Sequence, residues 1–271
     1  MNTTTKPEWG VHAPNPIQNF AIKQSNKNPK SLFGTSCRKL LLNGFNDPLD
    51  VEFWGVRFRL YPGDNLCEKR ALLSRVNFDV QERQILLERL HEDFRFIDVG
   101  ANVGLYSLFV AANAGKQARV LAIEPQPIIK QRLKFNLAVN PNCNITHVDC
   151  AVADKKGMAK MSISTSNRGA SGFSLRSGDK PDEIFEVQTF SLVEILSTHD
   201  MLGADAMKID IEGAEDQVLP VFFETTNKAD LPKLLIIERN PDWNVDCIEL
   251  AKSCGYKQVL QAHMNIVLEL V

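Results

Sequence analysis

A glycine-rich turn joins an apolar stretch to a helical stretch in the first half of the chain. It holds Asp98, Gly100, Asn102 and Gly104 within the run FIDVGANVG at residues 96–104. Glycine adopts a positive φ and lets a ligand approach the backbone, while the first turn of a helix offers unpaired N–H donors. These residue types in this order predict a binding loop for a nucleotide-like ligand.

A carboxylate at the end of the next apolar run, Glu124, lies 24 residues after Gly100. At a strand end it can accept hydrogen bonds from both ribose hydroxyls of an adenosine. The turn lacks the G-x-G-x-x-G spacing that binds a pyrophosphate, and the chain has no G-x-x-x-x-G-K-[ST] phosphate loop. A ligand that contains adenosine without phosphates fits better, and S-adenosylmethionine is the common one.

Three charged residues alternate with apolar ones in a second run, namely Lys208, Asp210 and Glu212. On a predicted strand at residues 206–211, the two-residue period puts all three on one face. Charges in a strand covered on both faces are costly unless they are paired or functional. Asp210 is therefore the first candidate to orient or deprotonate an acceptor. The structural alternative is an ion pair between Lys208 and Asp210, with Glu215 capping the next helix.

Other titratable residues leave further chemistry open. His147 and His199 could act as bases, although neither lies in a recognisable motif. Glu82, on the helix before the first core strand, could reach the cofactor. A hard divalent metal could acidify a hydroxyl if carboxylates collected it, the candidates being Asp210, Glu212 and Glu238. Since these carboxylates show no fixed ligand spacing, the sequence predicts no metal site.

After residue 93, short apolar runs alternate with helical stretches, as in a parallel sheet built from strand-helix-strand units. The predicted strands lie at residues 94–99, 119–123, 145–148, 206–211, 233–237, 257–260 and 265–270. The predicted helices lie at residues 103–113, 128–140, 192–199, 214–222 and 245–254. An inserted strand pair is predicted at residues 158–163 and 184–189. Parallel strands end at one edge of their sheet, so the glycine turn and Asp210 should open on the same cleft.

The remaining segments are less regular. The loop at residues 164–182 is rich in serine and glycine and predicts either a lid over the site or a plain insertion. Residues 1–50 are expected to form a flexible N-terminal arm, because the first part is poor in apolar residues. Residues 51–77 predict a strand or hairpin extension. The domain that binds the cofactor then occupies residues 78–271, and Asp79 can cap its first helix.

Composition places the chain among soluble globular proteins. It has 271 residues, of which 44% are hydrophobic and 24% charged, and a net charge of −2. This balance gives no electrostatic footprint for nucleic acid or an anionic membrane, and no apolar run approaches the ~20 residues of a membrane helix. The cysteines form no C-x-x-C pair, which disfavours a zinc ribbon. We expect a cytoplasmic protein with reduced thiols and no nucleic-acid or membrane partner.

Together these motifs resemble the FkbM family of S-adenosylmethionine-dependent methyltransferases. The resemblance rests on DVGANVG at residues 98–104, EP at 124–125 and KIDIEGAE at 208–215. It implies an α/β fold, a doubly wound, Rossmann-like seven-stranded class I methyltransferase sheet whose last strand is antiparallel. An N-terminal extension and the inserted strand pair would be added to it. The implied reaction is transfer of a methyl group to a hydroxyl.

The resemblance also implies roles for individual residues. Glu124 would contact the ribose of the cofactor, S-adenosylmethionine. Asp149, just after the third strand, would face the adenine. The residues around the methionine part would be Asp98, Gly100, Asn102 and Gly104. The catalytic candidates stay Asp210, Lys208 and Glu212.

The expected acceptor is a small molecule or a saccharide. Two other functions stay open at this point. One is an NAD-dependent oxidoreductase on a Rossmann-like fold, which the missing third glycine disfavours. The other is a non-catalytic binding module that kept the fold and lost its acceptor site.

Overall fold

Helices and strands alternate over most of the chain. The computed structural model describes residues 8–27, 29, 31–44, 48–164, 167–172 and 183–271. In chain order the elements are α1 (Pro16–Lys27), α2 (Leu32–Gly44), β1 (Leu49–Phe53), β2 (Val56–Leu60), α3 (Leu66–Leu73), α4 (Val80–Leu87), β3 (Arg95–Val99), α5 (Leu105–Asn113), β4 (Arg119–Ile123), α6 (Pro127–Ala138), β5 (Ile145–Val148), β6 (Ala151–Ala153), β7 (Gly157–Ser164), β8 (Asn167–Gly172), β9 (Glu183–Ser191), α7 (Leu192–Thr198), β10 (Ala206–Ile209), α8 (Glu215–Thr225), β11 (Leu234–Glu238), α9 (Cys247–Ser253), β12 (Tyr256–Ala262) and β13 (Asn265–Leu270).

The central sheet has seven strands in the order β12-β13-β11-β10-β3-β4-β5. The pairs from β11 to β5 are parallel, whereas β13 runs antiparallel to both β11 and β12. The strand order reverses between β3 and β10, which makes the sheet doubly wound. The predicted fold class and the antiparallel last strand are therefore confirmed.

Alternate side chains of the central strands enter two separate apolar cores. Phe96 packs with α4 and α5 on one face, and Ile97 packs with α7, α8 and α9 on the other. Strands of this kind are apolar on both faces because helices cover both sides of a parallel sheet. Asp98 and Lys208 interrupt this pattern, and they lie opposite each other on the paired strands β3 and β10.

The inserted segment forms a second sheet of four strands in the order β6-β9-β7-β8. Residues 157–163 of β7 pair antiparallel with β9, which confirms the predicted strand pair. Strand β8 pairs with β7 and was predicted as loop. The remainder of the predicted lid, residues 165–166 and 173–182, lies outside the described residues.

The prediction of a flexible arm over residues 1–50 is wrong for the described part, which contains α1 and α2. Helix α1 buries Ala21 and Ile22, and α2 buries Cys37 and Leu41, all in the core that also holds β1 and α3. Helix α1 also buries polar side chains, and Asn26 Nδ2 donates to the carbonyl oxygen of Leu72 at 2.8 Å. Composition does not reveal such contacts, because the hydrogen-bond partner lies far along the chain.

Residues 51–77 contain the predicted hairpin, in which β1 and β2 pair antiparallel. They also contain α3, which the sequence reading missed. Asn65 caps this helix, since its side chain accepts hydrogen bonds from the backbone N–H groups of Cys67 and Glu68. A search of the described helices for a stretch long and apolar enough to span a bilayer found none.

Candidate active site

A cavity opens at the carboxyl ends of β3, β4, β10 and β11, where open parallel sheets bind ligands. Its volume is about 240 Å³, far above the roughly 10–15 Å³ that one ordered water needs, so it accepts a small organic molecule. The sequence-predicted residues in its wall are Asp98, Gly100, Asn102, Glu124, Lys208, Asp210 and Glu212. The fold therefore brings together both motifs that the sequence singled out.

The glycine turn crosses the end of β10 at very close range. Gly100 has a φ of 77°, and a Cβ there would overlap the backbone carbonyl oxygen of Asp210. The N–H groups of Gly100 and Ala101 both donate to the carbonyl oxygen of Ile123 at 3.0 Å. Glycine is required here because a side chain would push the two motifs apart. Gly104 ends the turn as the N-cap of α5.

Glu124 holds the turn from the neighbouring strand. Its two carboxylate oxygens accept hydrogen bonds from the backbone N–H groups of Asn102 and Gln126, each at 2.9 Å. Burial raises the pKa of Glu124 to about 7, against the lowering effect of these two bonds. Each carboxylate oxygen can accept a second hydrogen bond. The group is thus placed and equipped to receive two ribose hydroxyls, so the residues present fit an adenosine-containing cofactor.

Asp98 and Asn102 are each held by neighbours inside the protein. One oxygen of Asp98 accepts from the backbone N–H of Ser107 at 3.0 Å and from its hydroxyl at 2.6 Å. Burial raises the pKa of Asp98, although Lys208 counteracts it. The side-chain oxygen of Asn102 accepts from Asn65 Nδ2 at 2.9 Å. The turn is therefore a preorganised element rather than a loose loop.

Asp149, expected near the adenine, is not in the cavity wall. It forms an ion pair with Lys130 on α6 at 2.7 Å. The three residues that follow it, Cys150, Ala151 and Val152, do line the cavity. The wall at this position is thus mostly apolar, and its role toward adenine would be packing.

Lys208, which is buried, and Asp210, which is half-buried, form an ion pair at 2.7 Å. The Lys208 ammonium also lies 5.2 Å from the centroid of the Tyr106 ring. Burial lowers the pKa of Lys208, but the charges of Asp210 and Asp98 outweigh it and leave the pKa above its ordinary value. The lysine is therefore a fixed cation, and the ion pair considered from the sequence is present.

Asp210 shares a hydrogen bond with a second carboxyl group, Glu238 at the end of β11. Burial acts to raise the pKa of Asp210, but Lys208 and Glu238 together hold it below its ordinary value. Burial and the adjacent charge of Asp210 raise the pKa of Glu238. Glu238 is therefore protonated and donates to an ionised Asp210 at neutral pH.

The expectation that Glu212 shares a strand face with Lys208 and Asp210 is wrong. Strand β10 ends at Ile209, and Glu212 is exposed in the following turn with a φ of 56°. The turn is held by Glu215, which accepts from the backbone N–H groups of Ile211 at 2.6 Å and Gly213 at 3.0 Å. Glu212 still lines the cavity, but from its rim.

The other candidates lie outside the cavity wall. His147 Nε2 is 3.2 Å from the carbonyl oxygen of Glu124, and burial lowers the pKa of the ring. His199 follows α7 and precedes β10, at the opposite edge of the sheet. Glu82 is buried and accepts from Asn265 Nδ2 at 2.7 Å, so it supports a wall residue from behind. Within the described ranges, no three His, Cys, Asp or Glu side chains are grouped as metal ligands.

Sequence reading missed one wall of the cavity, contributed by α3, α4 and α5. Asp79 accepts from the hydroxyl of Tyr106 at 3.1 Å and from Arg70 at 3.4 Å. The predicted capping by Asp79 is wrong, because its side chain makes no cap hydrogen bond and its φ is 41°. Burial raises the pKa of Tyr106 well above its ordinary value. No motif in the sequence could have placed these three residues together.

Comparisons with known proteins find a methyltransferase family and two relatives of low identity. Residues 98–257 match the family described as Methyltransferase FkbM domain. Methyltransferase sdnD of Sordaria araneosa is 27% identical over 151 residues, which cover 45% of this chain and 58% of that protein. AMB antimetabolite synthetase AmbE of Pseudomonas aeruginosa is 28% identical over 163 residues, which cover 48% of this chain and 8% of that protein. The chain thus spans less than two thirds of the length of either relative.

Two of the solved structures that match the chain at low identity are methyltransferases of known structure. The METTL16 methyltransferase domain gives a TM-score of 0.46 at 13% identity and covers 97% of this chain and 96% of its own. The AdoMet complex of M. jannaschii TYW2 gives a TM-score of 0.42 at 15% identity and covers 84% of this chain and 89% of its own.

Proposed function

The chain belongs to the FkbM methyltransferase family, and we propose that it methylates a hydroxyl of a saccharide or another small natural product. S-adenosylmethionine is the methyl donor of this family, and when bound it supplies an electrophilic methyl group on a sulfonium. In our proposal Glu124 binds the ribose, while Asp98, Gly100, Asn102 and Gly104 surround the methionine part. Family membership sets aside the NAD-dependent oxidoreductase considered from the sequence.

The charge of the cavity supports a cationic ligand. Its wall contains six carboxyl groups against two cationic side chains, Lys208 and Arg70; the carboxyl groups are those of Asp79, Asp98, Glu124, Asp210, Glu212 and Glu238. A sulfonium brought into such a partly buried site is attracted by the carboxylates more strongly than it would be in bulk water.

The hydroxyl acceptor rests on one observation, the Asp210 carboxyl group at the cavity wall, which is ion-paired with Lys208 at 2.7 Å and hydrogen-bonded to Glu238. These contacts hold the pKa of Asp210 below its ordinary value. Asp210 can accept a hydrogen bond from the acceptor O–H and so direct an oxygen lone pair at the methyl carbon. A C–O bond forms as the C–S bond breaks, and the acceptor proton passes to Asp210. The attacking oxygen becomes positive during transfer, so its proton becomes acidic enough for a carboxylate of lowered pKa.

Positioning of the methyl donor and the acceptor supplies a further part of the rate enhancement. Holding two reactants in attack geometry can lower a barrier by roughly 7–11 kcal/mol. The backbone contacts of Gly100 and Glu124 fix the donor side of the cavity, and the Lys208 to Asp210 pair fixes the acceptor side. Lys208 prevents Asp210 from rotating away, because an unpaired buried ammonium would be costly.

The test of this role is Asp210→Asn, which keeps the shape of the side chain and removes its ability to take a proton. We expect turnover to fall at least about a hundredfold, the usual contribution of a positioned base. The Kd for S-adenosylhomocysteine, measured by calorimetry, should change by no more than a few fold. Asp200→Asn, at an exposed turn, is the matched control and should retain full activity. Undiminished turnover of Asp210→Asn would show that another group takes the proton.

The linkage in the product identifies the acceptor atom. Labelled product from [methyl-³H]-S-adenosylmethionine should keep its label in warm dilute alkali, because a methyl ether resists hydrolysis whereas a methyl ester does not. Mass spectrometry of the same product distinguishes an N-methyl group from an O-methyl group. An alkali-labile or N-linked methyl group refutes the hydroxyl assignment and leaves the methyltransferase assignment intact.

A further inference from the structure

A second cavity of about 270 Å³ adjoins the first at the ends of β10 and β11. The two cavities share the wall residues Glu212, Glu238 and Met264. The loop after β10 supplies one side of the second cavity. The loop after β11 supplies the other side, with Arg239, Asn240, Pro241 and Asp242.

We propose that this second cavity is the acceptor subsite and that it binds a neutral, polyhydroxylated ring, such as one glycosyl unit. Arg239, Asn240 and Asp242 would recognise two or more ring hydroxyls. The proposal rests on the methyl-transfer function proposed above and adds the class of acceptor and the residues that select it.

The charged side chains of the subsite do not form ion pairs with one another. The guanidinium of Arg239 has no hydrogen-bond or ion-pair partner in the part of the chain that the structure describes, and the same holds for the carboxylate of Asp242. Asn240 Oδ1 accepts a hydrogen bond from the backbone N–H of Asp242 at 3.0 Å, and this bond fixes the orientation of the side-chain amide. A cation, an amide and a carboxylate therefore face the same space with binding capacity to spare.

This set matches the chemistry of neighbouring sugar hydroxyls. Each hydroxyl donates one hydrogen bond and accepts up to two, so a pair of them can bind a donor-only guanidinium and an acceptor-only carboxylate at once. A phosphate or carboxylate ligand would meet Asp242 and Glu212, and an ammonium would meet Arg239. The mixed charges thus favour a neutral polyol over either ionic class.

The shared wall determines which hydroxyl reacts. Glu238 lines both cavities and hydrogen-bonds to Asp210, the proposed proton acceptor. A ring in the second cavity presents to Asp210 the hydroxyl that lies next to Glu238. Burial and the charge of Asp210 raise the pKa of Glu238. A protonated Glu238 adds no negative charge that would repel the oxygen of that hydroxyl.

Gly213 lies beside the Asn240 side chain. It has a φ of 100°, which favours glycine, and a Cβ there would lie 2.7 Å from Asn240 Nδ2. A side chain at residue 213 would therefore have to displace the Asn240 amide, which the backbone N–H of Asp242 holds from the other side.

The test uses the whole chain, labelled S-adenosylmethionine and a panel of methyl glycosides of glucose, galactose, mannose and rhamnose. Glucose 6-phosphate, glucosamine and 1-butanol represent an anionic sugar, a cationic sugar and a single hydroxyl. We expect label on at least one neutral glycoside and a preference for it over the other three compounds.

Arg239→Ala and Asp242→Asn are exposed changes that should not disturb folding. Each should raise the KM for the accepted glycoside about ten- to hundredfold, the loss expected for a hydrogen bond to a charged group. The kcat and the Kd for S-adenosylhomocysteine should change by less than about threefold. Arg57→Ala, an exposed arginine on β2, is the control and should leave the KM unchanged.

The outcomes separate this proposal from the one on which it depends. Absence of S-adenosylhomocysteine binding would refute the proposed function itself. Binding with no label on any neutral glycoside, or with a preference for the phosphate or the amine, refutes the polyol subsite alone. An unchanged KM in both Arg239→Ala and Asp242→Asn also refutes it, because the acceptor then binds elsewhere.

Discussion

Glu124 and Asp210 are both carboxyl groups at strand ends, yet their neighbours move their pKa values in opposite directions. Burial raises the pKa of Glu124 to about 7, and no cation is among its main influences. Lys208 at 2.7 Å helps hold the pKa of Asp210 below its ordinary value. One residue type thus supplies a group that titrates near neutrality at the proposed ribose contact and a group with a lowered pKa at the proposed acceptor contact.

The titration of Glu124 predicts that cofactor binding depends on pH. Ribose hydroxyls donate to the carboxylate, so the ionised form binds and the protonated form does not. With a pKa of about 7, the ionised fraction falls about tenfold from pH 8 to pH 6. Calorimetry with S-adenosylhomocysteine should therefore show a Kd about tenfold higher at pH 6.

Glu124→Gln provides the control for this assignment. The glutamine cannot ionise, so its Kd should be higher at pH 8 and nearly independent of pH between 6 and 8. A wild-type Kd that is flat over this interval contradicts the prediction. If Glu124→Gln keeps the wild-type slope, some other group carries the pH dependence.

The elements that matter most are two strand-to-helix turns that touch across the sheet. The β3–α5 turn carries the cofactor residues, and the β10–α8 turn carries Asp210. Their closest point is Gly100 against the carbonyl oxygen of Asp210. In the proposed reaction, this backbone contact would set the separation between the methyl donor and the acceptor.

Gly100→Ala should disrupt this contact. The added Cβ overlaps backbone, and the φ of 77° is unfavourable for alanine, so the turn must shift. We expect at least about a tenfold loss of S-adenosylhomocysteine affinity by calorimetry. Gly63→Ala is the matched control, because a Cβ at Gly63 meets nothing within 4 Å and its affinity should be unchanged. Equal affinities for the two variants are the result that refutes the argument.

At the scale of the whole molecule, charged side chains fasten α3 and the loop before it to α6, a helix that packs on the central sheet. Arg132 on α6 binds Glu68 on α3 at 2.8 Å and Asp64 at 2.7 Å. The Glu68 carboxyl is fully buried, and burial raises its pKa to about 7 although Arg132 lowers it. The segment that forms one wall of the cavity therefore depends on this cluster for its position.

Arg132→Leu should leave Glu68 buried without its cation. Removing one partner of a buried ion pair costs about 3–5 kcal/mol of unfolding free energy. Urea denaturation followed by tryptophan fluorescence at pH 8 measures this loss. Because the pKa of Glu68 rises further without Arg132, the variant should regain stability as pH falls from 8 toward 5, where folded Glu68 is protonated.

Two comparisons check that interpretation. Arg57→Leu breaks an exposed pair with Glu52 and should cost less than about 1 kcal/mol. Adding Glu68→Gln to Arg132→Leu should recover part of the lost stability, since the buried charge is gone. A loss below about 1 kcal/mol in Arg132→Leu alone means that the cluster does not fasten the segment.

Much of the fold was readable from the sequence because parallel strands and their covering helices leave local patterns. The strands at residues 119–123, 145–148 and 265–270 were placed without error. The errors have physical causes. Helix α1 packs partly through buried polar side chains, which composition does not reveal. Strand β8 forms from a segment rich in serine and glycine, which resembles a loop in sequence.

The sequence by itself determined the motifs whose function is local: the turn from Asp98 to Gly104, the carboxylate of Glu124 and the alternation of Lys208 with Asp210. Their chemistry follows from residues adjacent along the chain and from the rule that parallel strands end together. Tertiary structure alone decided the rest. Asp149 forms an ion pair with Lys130 and not a wall of the cavity. Glu238, at the end of another strand, forms a hydrogen bond with Asp210.

The cavity wall from α3 to α5 and the second cavity are likewise products of tertiary structure. Arg70, Asp79 and Tyr106 are separated in sequence and meet only because the N-terminal segment packs on the sheet. Pairing, burial and pKa depend on distances in space, which the order of residues does not contain. The sequence therefore specified the motifs of a methyltransferase family, while the packing decided which carboxyl groups lie beside Lys208 and where the proposed acceptor subsite lies.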